Sequence, residues 1–365
     1  MPGGVLPLAA VLAACSNLSS FTNGGGDSGA KAEAGDTGAV DAGTCADDPC
    51  VMATGLNKPY FTASDSENVY WTENGSALGT GDGAVKSCPV SGCGAGPLVY
   101  AQGLTNPVGI ATDGMNVYFA VSPSNPSAQG SVQSCPVRGC NGAPTVLASS
   151  SSPEGIALDA TYLYWVDGVD SGVYRVKKTG GSRETLYDGS GALIAGGFGC
   201  AVDSTFVYVL DFQDDLTRIP LAGGSPENIG TAGNVSAGDA PLALGTTGGV
   251  ASYYYAIPGQ VLGATEAAPN HVTVLLPNLT APSSLAFDES TSVLYWTDYG
   301  SGMAVDGRIG KVNADGTGQV ILGSALDTPE SITVSGAYAF WFSFGTPEGS
   351  AGVAPSTGTL TRVAR

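Results

Sequence analysis

Short apolar segments, each interrupted by glycine, proline or a polar turn, recur along the chain and fall into a unit that repeats seven times. The unit opens with Pro-x-x-[Ile/Leu]-x-x-Asp. Pro59, Pro107, Pro153, Pro241, Pro282 and Pro329 mark six starts and Gly197 takes the seventh place, at intervals of 41 to 48 residues. Six positions on stand Asp65, Asp113, Asp159, Asp203 and Asp288, with Thr247 and Ser335 in the two other copies. Each of these residue types starts an Asx- or Ser/Thr-type turn. An aromatic strand follows: Tyr70-Trp71-Thr72-Glu73, Tyr118-Phe119, Tyr164-Trp165-Val166-Asp167, Tyr208-Val209-Leu210-Asp211, Tyr254-Tyr255, Tyr295-Trp296-Thr297-Asp298 and Phe340-Trp341. A third stretch of the type Gly-x-[Val/Ile/Leu] recurs in GAVKS, GSVQS, GVYRV, GRIGKV and GTLTRV, and a fourth reads PLVYA, PTVLA, ETLYD, ENIG, HVTVLL and QVILG.

Four short antiparallel strands at a period near 45 residues predict a β-propeller blade, which buries its faces only by stacking on its neighbours. The expectation is therefore an all-β, seven-bladed β-propeller. The last copy stops at GTLTRVAR after three strands, while CVMATGL, Cys50 to Leu56, is a lone fourth strand ahead of the first copy. Pairing the two would complete the last blade, close the ring and leave no free sheet edge. The propeller then occupies residues 45–365 as one domain.

Composition agrees with many strands and turns. Glycine (55) and proline (22) make up about a fifth of the 365 residues, and only 12% are Asp, Glu, Lys or Arg. The net charge of −19 is spread along the chain and would repel phosphate backbones, which sets nucleic acid aside. At the N-terminus, the apolar run Val5 to Ala14 is too short to span a membrane and fits a signal-peptide core. It ends in Leu12-Ala13-Ala14-Cys15, which resembles the bacterial lipobox, where the cysteine is diacylated and becomes the mature N-terminus. No Lys or Arg precedes the run. Residues 1–15 thus read as a lipoprotein signal peptide with Cys15 as the lipidation site. Residues 16–44 are mostly Gly, Ala, Ser, Asp and Thr with Phe21 as their one aromatic, which reads as a flexible tether. Such a coil reaches roughly 30 Å. The expected location is the cell envelope, extracytoplasmic, on a membrane through the lipid anchor only, as a monomer.

NPVGIATDGMNVYFAV, SPEGIALDATYLYWVDG and SVLYWTDYGSG resemble the NHL and YWTD repeats of β-propellers, from about residue 50 to the end. The resemblance implies the fold and leaves function open, since such propellers serve as receptors, scaffolds, lyases and lactonases. It also implies that Tyr-Trp-Thr-Asp is chiefly structural, the aromatics packing between blades and the acid satisfying backbone. YWTD receptor propellers usually have six blades, so seven is a departure.

Three cysteine pairs, Cys45/Cys50, Cys88/Cys93 and Cys135/Cys140, have four residues between their members. The second and third occupy the same turn in SCPVSGC and SCPVRGC, at opposite ends of a hairpin loop where disulfides form in an oxidising compartment. Zinc is the alternative for this spacing. Cys200 stands where other copies have Ile or Leu and reads as a small buried apolar residue.

The single histidine, His271, falls on a fourth strand, away from a channel mouth, so a Ser-His-Asp or Cys-His arrangement has no support. No catalytic residue is expected. Lactonase-like propellers hold calcium with carboxylates around the channel, and the oxygens for such a site would come from Glu73, Asn74, Asp167, Asp170, Asp211, Asp214, Asp215, Asp298 and Asp306. Glu73, Asp167, Asp211 and Asp298 head that set. The segments ENGSALGTGDG, VSPSNPSAQG, DYGSGMAVDG and FSFGTPEGSAGVAPSTG put long loops on one face, suited to a protein, peptide or glycan ligand. The functional expectation is a tethered binding or scaffold protein with no cofactor; the alternative is a calcium-dependent lactonase- or lyase-like enzyme.

Overall fold

A computed structural model describes residues 45, 48–75, 81–94, 96–123, 128–190, 194, 197–211, 215–231, 241–247, 249–301, 305–344 and 358–365. The expected signal peptide, Cys15 and the tether lie outside them, as does Asp214. Among the described residues there is no helix, and none long and apolar enough to cross a membrane.

Seven four-stranded antiparallel sheets form the blades of a β-propeller. Blade three is typical: Pro153–Leu158, Tyr162–Asp167, Val173–Lys177 and Glu184–Tyr187 follow one another from the inside outward. The inner strand of every blade packs on the inner strands of both neighbours, the seventh on the first included. In the seventh sheet the fourth strand comes from the N-terminal end. Cys50–Leu56 pairs antiparallel with Gly358–Ala364, Cys50 opposite Arg362 and Leu56 opposite Gly358.

The repeated residues have repeated duties. Asp65, Asp113, Asp159 and Asp203 each accept two turn N–H groups through one oxygen and a phenol through the other, from Tyr70, Tyr118, Tyr164 and Tyr208 at 2.6 to 3.0 Å. Burial first, and the adjacent aspartate second, hold these phenols well above the ordinary tyrosine range, so they remain donors. Asp288 keeps the turn but takes Arg365 instead of a phenol. Ser335 departs from the turn pattern: its hydroxyl donates to the Asp65 carbonyl across the seam between blades seven and one.

The Gly of the third strand and the Pro of the next blade form a second lock. A Cβ on Gly83, Gly130, Gly307 or Gly358 would lie 2.2 to 2.8 Å from Cδ of Pro107, Pro153, Pro329 or Pro59, so only glycine admits the ring. The last pair joins blade seven to blade one.

Trp71, Trp165, Trp296 and Trp341 are fully buried, as blade stacking requires. Apolar contacts dominate between blades one to four, whereas the seam from blade six through seven to one is polar along the inner strands. Thr62 N–H donates to Ser331 Oγ at 2.8 Å, Ser64 and Thr333 hydroxyls meet at 2.8 Å, and Ile332 N–H donates to Ser284 Oγ at 3.0 Å.

Disulfides join Cys45 to Cys50, Cys88 to Cys93 and Cys135 to Cys140, with Cα separations of 5.6, 4.9 and 5.5 Å. The thiols are thus not free for a zinc ion. Cys200 is buried and forms no disulfide.

Candidate binding site at the channel mouth

The ring has two faces. Turns between first and second and between third and fourth strands share one, the turn face. Loops between second and third strands and the blade connectors share the other, the loop face, where the long segments lie. Parts of those segments (76–80, 124–127, 302–304 and 345–357) are outside the described residues.

On the loop face, the candidate calcium ligands fall in four blades, Glu73 with Asn74, Asp167 with Asp170, Asp211 with Asp215 and Asp298 with Asp306. Glu73 is buried, accepts Trp71 Nε1 at 2.8 Å and the Asn57 N–H, and pairs with Lys86 at 2.8 Å. Asp167, fully buried, accepts the Ser150 hydroxyl at 2.6 Å and the N–H groups of Ser151 and Ser152 at 2.8 and 2.9 Å. Asp298, equally buried, accepts the N–H groups of Thr280 and Ala281 at 3.1 and 2.7 Å and pairs with Arg308. In each case the acid ending the second strand clamps the connector that enters its own blade. Asp211 is buried at the same place and receives the Asp215 N–H. Asp170 holds Gly172 N–H and the Tyr174 hydroxyl, and Asp306 holds Ser301 N–H. Asn74 is buried beside Glu73, its Oδ1 without a hydrogen-bond partner. Among the described residues no three His, Cys, Asp or Glu side chains are grouped to hold a metal ion.

Glu154 is the functional-looking residue that sequence reasoning missed. It sits on the inner strand of blade three, where Ser122 of blade two and Ser152 donate to its Oε1 at 2.9 and 3.0 Å. Burial raises its pKa to about 7, and the Asp167 charge adds to the rise. The Pro-Glu-Gly of the blade start was the available signal, but only the ring brings Ser122 to it.

The cavity lies at the other end. About 280 Å³ of space opens at the turn-face mouth of the channel, lined by residues from six of the seven blades. Its wall is Ala63, Ala201, Leu242 to Leu244, Ala286, Phe287, Ile332 and Val334, with Thr62, Ser64, Thr112 and Thr333 between them. Asp65, Asp288 and Glu289 stand among the turn residues that border it. Phe287 stacks on Tyr254 at 5.1 Å and lies so close over Gly245 that a Cβ there would meet its ring at 2.2 Å. Local sequence carries no sign of this cavity. His271 is exposed on its outer strand, remote from the cavity lining.

No family model matches the sequence, and no curated protein matches it. The chain is similar in structure to U3-55K, with 13% identity and a TM-score of 0.62 over 88% of this chain and 100% of that one. It is also similar to a chain of the nidogen/laminin complex, with 18% identity and a TM-score of 0.49 over 66% of this chain and 89% of that one. Identity this low speaks to the fold alone.

Proposed function

We propose that this protein is a membrane-tethered, extracytoplasmic binding protein that holds a small ligand at the turn-face mouth of its channel. The cavity carries the reading: a concave, largely apolar wall with a few polar groups is the ordinary form of a ligand site. The carboxylates that a calcium-dependent hydrolase would use support it from the other side, since Glu73, Asp167 and Asp298 are each committed to clamping backbone.

The chain leaves the ring on the turn face, where Ala364 N–H donates to Asp48 and Arg362 reaches the Cys45 carbonyl. A tether through residues 16–44 to a lipidated Cys15 would set this face toward the membrane. The loop face would point away.

Two measurements test the reading. Cys15→Ser should move the protein to the soluble fraction, and the wild type should carry an acyl mass; a variant that stays on membranes refutes the anchor. In a thermal-shift screen of small amphipathic molecules, the stabilisers should lose their effect in Ala286→Leu, which fills the cavity. Stabilisers indifferent to that change would place binding elsewhere.

A further inference from the structure

The polar edge of the cavity is chemically one-sided. Among the described lining residues there is no Lys, Arg or His, while three carboxylates border the opening. Two of them are already occupied. Asp65 holds the Tyr70 phenol and its own turn, and Asp288 holds Arg365, Ser290 and Thr291, so the charge of Arg365 is spent on Asp288. Glu289 differs: it is exposed, and its two oxygens share the Thr246 N–H at 3.1 Å. A carboxylate has about four lone-pair sites, so it retains capacity for two or three further donors.

We infer that the cavity takes a small organic ammonium ion whose apolar body lies against Phe287, Leu244 and Ile332 and whose charged nitrogen donates to Glu289. An anion would leave water to meet three carboxylates within a chain of net charge −19. A wholly apolar ligand would leave the spare acceptor capacity of Glu289 unused. A cavity of about 280 Å³ has room for an arylalkyl group with its ammonium head.

This inference rests on the binding reading above, and the test separates the two. The full chain in mild detergent is titrated at pH 7.5 by calorimetry with phenethylammonium, with the neutral isostere 2-phenylethanol and with the anion 3-phenylpropionate. Phenethylammonium should bind about tenfold or more tightly than either isostere, weaken with added salt, and lose that advantage in Glu289→Gln at an unchanged melting temperature. Equal binding of the alcohol and the ammonium ion, abolished by Ala286→Leu, would overturn the ligand class and leave the cavity as a binding site. Preference for the anion, or an unchanged affinity in Glu289→Gln, would overturn the role of Glu289. If all three probes fail to bind, both the ligand class and the cavity reading fall.

Discussion

Asp298 decides between a clamp and a metal ligand at the end of the YWTD strand. Its carboxylate is fully buried and accepts the Thr280 and Ala281 N–H groups at 3.1 and 2.7 Å, with Arg308 on its second oxygen. In Asp298→Ala two part-buried N–H groups lose a charged acceptor, at about 1 to 2 kcal/mol each. Arg308 loses its partner but is one-third exposed, so water restores part of its solvation and the added cost stays near 1 kcal/mol. The expected total is about 3 to 5 kcal/mol, the range for removing one partner of a buried charged pair. Asp298→Asn keeps one acceptor oxygen but turns an amide toward Arg308, so roughly half that loss should appear. Asp306→Ala is the exposed comparison and should fall within about 0.5 kcal/mol of wild type. Equilibrium urea unfolding followed by tryptophan fluorescence, with and without 2 mM calcium, reads all three. A loss below about 1 kcal/mol in Asp298→Ala would refute the clamp. So would a calcium-induced stabilisation of wild type that vanishes in Asp298→Asn.

Glu154 gives a pH dependence with a definite sign. Its folded pKa, pushed up to about 7, lies above the ordinary glutamate value, so the folded state holds an extra proton between roughly pH 4.5 and 7. That contribution is fully present below pH 4.5 and is lost as pH rises through 7. Relative to wild type, Glu154→Gln should therefore gain in melting temperature as pH rises from 5 to 8.5; a constant difference across that range contradicts the shift. Gly130→Ala places a methyl 2.6 Å from both Pro153 Cδ and the Val121 carbonyl, so it should cost about 1 to 3 kcal/mol in urea unfolding. A neutral result would mean that blades two and three are not locked there. Non-reducing peptide mapping should link Cys88 to Cys93 and Cys135 to Cys140, with Cys200 unlinked; a mixed linkage to Cys200 would contradict the register of the blade-four inner strand.

Much of this protein is determined locally, and the sequence by itself determines it. Strand, Asx turn, aromatic strand and hairpin are each written within a dozen residues, because pleat and turn chemistry act over neighbours in the chain. The Asx turn at Asp65 and the Cys88 to Cys93 bridge each span five residues or fewer, so spacing alone exposes them, whereas the Tyr70 phenol on the second oxygen of Asp65 came only from the structure. The acid of the second strand was readable as a backbone clamp through the family resemblance, although the residues it clamps, Thr280 and Ala281 for Asp298, became visible only in three dimensions. Tertiary structure alone decided the rest. The polar seam joins Thr62 to Ser331, 269 positions apart, and no period along the chain couples such residues. Glu154 acquires its raised pKa from burial between blades two and three, with the Asp167 charge adding to it and the hydroxyls of Ser122 and Ser152 opposing it. Loop length pointed to the loop face, yet the cavity opens at the turn face, because its wall is assembled from short alanine, leucine and threonine stretches of six blades. Each of those stretches reads as ordinary inner strand. Their convergence around an axis is a property of ring closure, which no single repeat encodes.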